Sequence, residues 1–247
     1  MHKDAVMLTF DVDWAPDWMV AEVANLLTNR GVAATWFITH ESPILEDLKS
    51  EKLFELGWHP NFFPGSSHGE NVEDVLEFCR NLVPEGRSVR AHSLFQSERH
   101  LQTLVTNFDI RNDCSVYLPT REVLGPHQVR YEEEGRPLRR LPHFFQDNMN
   151  ILGDRRWDAE DAWFHRKGAK TFCLHPIHIC LNTNRMEQYE KLKALGPLPS
   201  ITRTALSDID RDGTGTRSLF LGLLETYDHR LFSQVDAYCE AVFGGHS

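Results

Sequence analysis

The feature that most constrains the fold is an alternation of short apolar runs with longer amphipathic ones, repeated from residue 5 to about residue 180,. Residues 5–10 (AVMLTF) read as a buried strand. Residues 17–30 then carry Trp18, Val20, Val23, Ala24, Leu26 and Leu27 at helical spacing, and Gly31 ends the run as a C-terminal glycine,. Residues 32–39 (VAATWFIT) are β-branched and aromatic, as a strand requires, and 43–56 read as a helix stopped by Gly57,. The series continues with helices over 71–82, 97–108 and 158–167. Strands are expected over 88–92, within 109–116, over 138–145 and over 170–174. Strands alternating with helices build a parallel sheet. A chain of 247 residues, 41% hydrophobic, is long enough for one α/β domain of barrel size,. A single domain over 1–247 is expected, with a helical C-terminal extension over about 182–247,.

Titratable residues collect where the strands end. In a parallel barrel every carboxyl end lies on one rim, which is where such folds keep their chemistry. Asp11 and Asp13 follow the first strand, and alternation along a strand gives residues i and i+2 a common face,. A plainer role for residues 13–17 is to turn the chain and cap the next helix with Asp17, but capping needs only one of the three acids,. His59, Arg90, His92, Asp113, Asp147, His175 and His178 occupy later strand ends. One histidine in such a place is usually a satisfied, partly buried side chain. Nine such residues at six successive strand ends make a site,.

Composition narrows the partners. A formal net charge of -10 argues against nucleic acid, whose phosphates require clustered Lys and Arg,. Five cysteines without a CxxC pair leave an odd thiol under any pairing and read as reduced core residues,. The opening MHKDA passes into the first strand with no apolar stretch long enough for a signal peptide or a membrane span, so a cytoplasmic location is expected,. Thirteen histidines point to metal chemistry. Residues 117–135, rich in Pro, Gly and charge, read as an insertion, a lid or a pair of hairpin strands. Asp208, Asp210 and Asp212 imitate a calcium loop, but Leu219 stands where its bidentate Glu belongs,.

In the order and spacing of these strand-end residues the chain resembles the NodB-homology polysaccharide deacetylases, the family 4 carbohydrate esterases. Thr9-Phe10-Asp11-Val12-Asp13 is similar to the family's TFDDG opening, with one residue between the acids. Ala34-Thr35-Trp36-Phe37-Ile38 resembles its ATFFV strand, and Leu56-Gly57-Trp58-His59 its EIGNH approach to the first metal histidine. Ser88-Val89-Arg90-Ala91-His92 stands where the family has an Arg-bearing strand end, and Leu174-His175-Pro176 matches its late histidine motif. The resemblance spans roughly residues 5 to 180 and implies an irregular (β/α) barrel of about seven parallel strands, a deformed TIM barrel.

The resemblance further implies that Asp11 is the general base, Asp13 and His59 are metal ligands, Arg90 orients Asp11, His175 is the general acid and Asp147 holds His175. The family's second metal histidine follows the first by four residues, where this chain has Phe63. That role falls to His68, which the shared loop favours, or to His92 from the neighbouring strand. One carboxylate and two imidazoles suit a divalent ion, zinc first, with Fe2+, Mn2+, Co2+ or Ni2+ fitting the same donors. The implied activity is removal of an N-acetyl group from a sugar in surface polysaccharide or lipopolysaccharide synthesis. A small linear or cyclic amide is the alternative substrate, and an inactive glycan-binding module the alternative class. Trp14, Trp58, Phe62, Phe63 and Phe95 flank the candidate site and could stack on a sugar ring or simply belong to the core,.

Overall fold

The structure is a computed structural model that describes residues 4–244. In chain order it runs β1 (Val6–Asp11), α1 (Asp17–Thr28), β2 (Ala34–Ile38), α2 (Ile44–Ser50), β3 (Phe54–Trp58), α3 (Val72–Leu82), β4 (Ser88–Val89) and α4 (Glu98–Phe108). There follow β5 (Asn112–Asp113), β6 (His127–Val129), β7 (Leu138–Arg140), β8 (Phe145–Gln146), α5 (Asp147–Leu152), β9 (Lys170–Leu174), α6 (Pro176–Leu181), α7 (Met186–Lys193), α8 (Thr216–Thr226) and α9 (Val235–Phe243). The strands form one sheet in the order β6-β7-β5-β4-β3-β2-β1-β9-β8. Every neighbouring pair is parallel except β6 with β7.

The sheet curls into a deformed barrel because β7 and β8, far apart in that order, belong to one stretch of chain. Residues 138–140 pair with β5 and residues 145–146 pair with β9. Between them Leu141 N donates to Asp113 O at 2.8 Å and Phe144 N to Thr171 O at 3.4 Å. Counting β7 and β8 as one position gives seven parallel positions around the barrel, β1 to β5, β7/β8 and β9.

Strand alternation sorts β1 into two environments. Val6, Leu8 and Phe10 join the large core with the helices. Met7 packs instead with Phe37, Cys114, Leu141 and the α9 residues Val235, Tyr238 and Cys239. The last helix thus closes the amino end of the barrel. Its first turn is capped from within: Val235 N donates to Thr35 Oγ1 at 2.9 Å and Asp236 N to Glu55 Oε2 at 3.0 Å,. Leu219, Phe220 and Leu223 of α8 enter the large core, so the C-terminal residues share the barrel's packing. All five cysteines are buried and unpaired. No helix of the described residues is long and apolar enough to cross a membrane.

Four local expectations are corrected. The helix expected over 43–56 stops at Ser50, and residues 54–58 are β3, in register with β2 from Ala34↔Phe54 to Ile38↔Trp58. Gly57 is a strand glycine where no side chain fits, since a Cβ there would lie 2.6 Å from Ser88 O,. The helix expected over 158–167 is a series of turns. The carboxylates of Asp158 and Asp161 take the backbone N–H groups of Glu160 and Trp163, competing with helical bonds,. The strand expected over 88–92 ends at Val89. The helix starting at residue 17 has Pro16 as its N-cap, with Asp17 inside the first turn. Within 117–135, β6 makes a hairpin with β7.

Candidate metal and catalytic site

β1 ends on Asp11, so strand alternation is not what brings Asp13 beside it. Asp13 and Trp14 both lie in the left-handed region (φ 45° and 56°), a tight turn that folds Asp13 back over the rim,. Trp14 N donating to Thr39 Oγ1 at 3.1 Å and Ala15 N to Val12 O at 2.9 Å hold that turn. Asp13 Oδ1 then lies 3.0 Å from His59 Nε2 and 3.1 Å from His92 Nδ1, and the two nitrogens are 3.4 Å apart. His59 is set by its N–H to Ile38 O at 3.2 Å, and His92 by its N–H to Pro60 O at 2.9 Å.

These three separations fit donors around one cation. With bonds of about 2.0–2.2 Å, donors in a tetrahedral or octahedral site stand about 2.8–3.6 Å apart. One oxygen with two imidazole nitrogens suits zinc and the later divalent transition metals.

Asp11 belongs to a second, deeper arrangement. Its Oδ1 accepts from Arg90 Nη1 at 2.8 Å. The fully buried guanidinium also donates from Nη2 to Thr9 Oγ1 (2.8 Å) and from Nε to Cys114 O (3.2 Å), and lies 4.6 Å over the Phe37 ring. Burial alone would raise the Asp11 carboxyl, but Arg90, with His59 and His175, overrides it and holds the group below its usual range,. Oδ2 faces the rim, 3.9 Å from His59 Nε2 and 4.0 Å from His175 Nε2, with the Cys173 thiol donating to it at 3.4 Å.

On the opposite wall Asp147 grips His175 twice. Its Oδ1 is 2.6 Å from His175 Nδ1, and its Oδ2 accepts from His175 N at 2.7 Å. His175 Nε2 points toward Asp13 Oδ2 at 3.5 Å. Burial would lower this imidazole, yet Asp147 and Asp13 hold it well above the usual histidine range,. Asp13 is likewise pushed up by burial but brought well below the carboxylate range by its bonds from His175, His59 and His92.

His68, the residue favoured above as third ligand, is not brought to this cluster. Its Nε2–H donates to Thr39 O at 2.7 Å and its Nδ1 accepts from Asn61 N at 3.2 Å, so both nitrogens are committed. The ring stacks on Phe78 at 4.5 Å, and burial lowers it to about 4. His92 stands in the place assigned to it as the alternative. Asp113 also lies elsewhere, accepting from Arg140 Nε (2.8 Å) and Ser115 N (3.0 Å). His178 sits behind His175, its Nδ1 3.1 Å from Thr183 Oγ1.

Among the flanking aromatics, Trp58 is core, its Nε1 donating to Val83 O at 2.8 Å, and Phe62 stacks on His100 at 4.4 Å. Trp14 meets His92 edge-on at 5.4 Å. Thr9 and Cys173 join the site through Arg90 and Asp11, roles the sequence reading does not give them. Thr9 was detectable, because it shares a strand face with Asp11; Cys173 has no local signal.

A curled parallel barrel with its ionisable side chains gathered on the carboxyl rim is the fold of the NodB-homology deacetylases. The sequence matches the WbmS-like polysaccharide deacetylase family over residues 8–193, and the chain belongs to that family. It is similar to a crystal structure of WbmS from Bordetella bronchiseptica, a proposed polysaccharide deacetylase involved in O-antigen biosynthesis. The TM-score is 0.81 with 32% identity, over 91% of each chain. Peptidoglycan deacetylase PdaC from Bacillus subtilis shares the fold alone, with a TM-score of 0.52 and 11% identity over 98% of this chain and 93% of that one. No curated protein matches.

Proposed function

We propose that this protein is a divalent-metal-dependent hydrolase that removes an N-acetyl group from a sugar used in surface polysaccharide or lipopolysaccharide synthesis. The observation that carries the reading is the Asp13, His59 and His92 cluster lying between two separate pairs, Asp11 with Arg90 and Asp147 with His175. Family membership and the WbmS likeness support the sugar and the pathway class. A cytoplasmic location favours a nucleotide-linked or lipid-linked precursor over a finished polymer.

Asp13, His59 and His92 would hold the ion, most naturally zinc. Once bound, a divalent ion lowers the pKa of a water to about 7 and polarises the amide carbonyl. Asp11 acts as general base through Oδ2, the oxygen that Arg90 leaves free, and takes the proton of the attacking water,. Arg90 keeps Asp11 ionised and fixes its plane. His175, held protonated by Asp147, donates from Nε2 to the departing amine nitrogen, and Asp147 stabilises the imidazolium until then,. Base and acid thus stand on different walls of one site, as amide hydrolysis requires.

The test is acetate release from a panel of N-acetylated sugars and sugar nucleotides. Release abolished by chelation and restored by zinc or another divalent ion is expected. No release across the panel by metal-loaded protein would overturn the reading.

A further inference from the structure

We propose that Phe63 and Phe95 form a shelf beside the candidate metal cluster that takes the apolar C–H face of a pyranose ring. This rests on reading the protein as one that acts on an acetylated sugar. Among the described residues, these are the two Phe, Tyr or Trp side chains left exposed, at 39% and 48%. They come from different loops, after β3 and after β4, yet their ring centroids are 5.1 Å apart and tilted by 35°. Phe63 also meets His92 edge-on at 6.3 Å, which places the shelf at the mouth of the cluster.

The shelf is built in advance. Phe63 is set by its N–H to Asn61 Oδ1 and by its carbonyl accepting from Ser66 N, both at 3.1 Å. Phe95 is thrown outward by Ser93 and Leu94, consecutive non-glycine residues in the left-handed region (φ 53° and 56°),. His100, stacked on Phe62 at 4.4 Å, backs it at 6.3 Å. Two adjoining rings exposed on a strained, pinned scaffold are a cost unless something covers them.

Size and position select the occupant. Two phenyl rings offer far less than the ~800 Å² per partner of a stable protein interface, but match one sugar ring. A pyranose presents axial C–H groups on a face and hydroxyls around its edge, which suits an aromatic shelf with polar surroundings. An acylamino substituent reaching about 3–4 Å from such a ring extends toward His92 and Asp13.

The experiment pairs two readouts on the metal-loaded protein and its Phe63→Ala, Phe95→Ala and double variants. The first is kcat and KM on an N-acetylated sugar substrate against those on aryl acetate, which has no sugar. The second is calorimetric binding of an N-acetylglucosamine trisaccharide. Each single variant is expected to weaken sugar binding or raise the sugar KM about tenfold, leaving aryl acetate hydrolysis unchanged. Phe→Trp at either position should restore binding. If wild type lacks turnover but its trisaccharide affinity falls in the variants, the shelf stands and the hydrolase reading fails. No difference between wild type and variants in binding and sugar KM, including no binding by any of them, overturns the shelf.

Discussion

Two carboxylates two residues apart meet opposite surroundings. Asp11 faces a buried guanidinium with Oδ1 and turns Oδ2 to the rim; Asp13 faces imidazole nitrogens, which is why it is the acid proposed as a ligand. Asp13→Ala is therefore expected to lose bound metal, as measured by elemental analysis of the purified protein. Asp11→Asn is expected to keep the metal while kcat falls by at least ~100-fold, the scale of a lost general base. The two candidate third ligands separate in the same assay. His92→Ala should bind metal at least ~10-fold more weakly. His68→Ala should retain the metal yet lose ~1–3 kcal/mol of stability in chemical denaturation, because Thr39 O and Asn61 N lose their buried partner,. Normal metal binding by His92→Ala would remove it from the ligand set.

Among the elements, β3 shows how the sheet overrules a local pattern. Residues 51–56 continue a helical spacing well enough, but β2 needs a parallel partner on its far side, and burying Phe54 and Trp58 there outweighs propensity,. Gly57 allows the approach of β4 that aligns Arg90 with Asp11. Gly57→Ala would drive a Cβ against Ser88 O and the Phe37 ring, both closer than 3.0 Å. A loss of ~1–3 kcal/mol in unfolding free energy is expected, with reduced turnover, because Phe37 also supports the Arg90 guanidinium,. Unchanged stability would show that the strand shifts freely. The chain turns carrying Asp13 and His92 could not be foreseen from spacing, since both depend on non-glycine residues in the left-handed region that only surrounding contacts sustain,.

For the whole molecule, buried histidines set the pH range of stability. Burial holds His68 and His178 at about 4 and His143 at about 3, against about 6.5 in the unfolded chain,. Because these folded values are depressed, the unfolded chain binds protons first as pH falls. Their contribution is intact above 6.5 and is lost through the interval down to about 4 for His68 and His178 and about 3 for His143, at up to ~1.4 kcal/mol per pH unit for each histidine,. In the metal-free protein His175 and His92 act in the opposite sense: despite burial, their carboxylate partners raise them, so what they add is complete below 6.5 and declines on the alkaline side. Urea midpoints across this range should trace a dome with a steep acid limb. A flat acid limb would mean that these imidazoles are protonated in the folded state.

The alternation of strands and helices, the barrel class, the family, and the strand ends on which Asp11, His59, Arg90 and His175 fall were legible in the order of residues. Those follow from side-chain periodicity, and periodicity is local. Folding alone settled which oxygen of Asp11 faces the rim, that His92 rather than His68 stands with Asp13 and His59, and that β7 and β8 close the barrel as one stretch. Each of these depends on contacts between residues far apart in the chain. His68 turns its nitrogens to the backbone, Thr39 O and Asn61 N, whereas His92 turns Nδ1 to the Asp13 carboxylate, and that difference exists only once the loops have packed,.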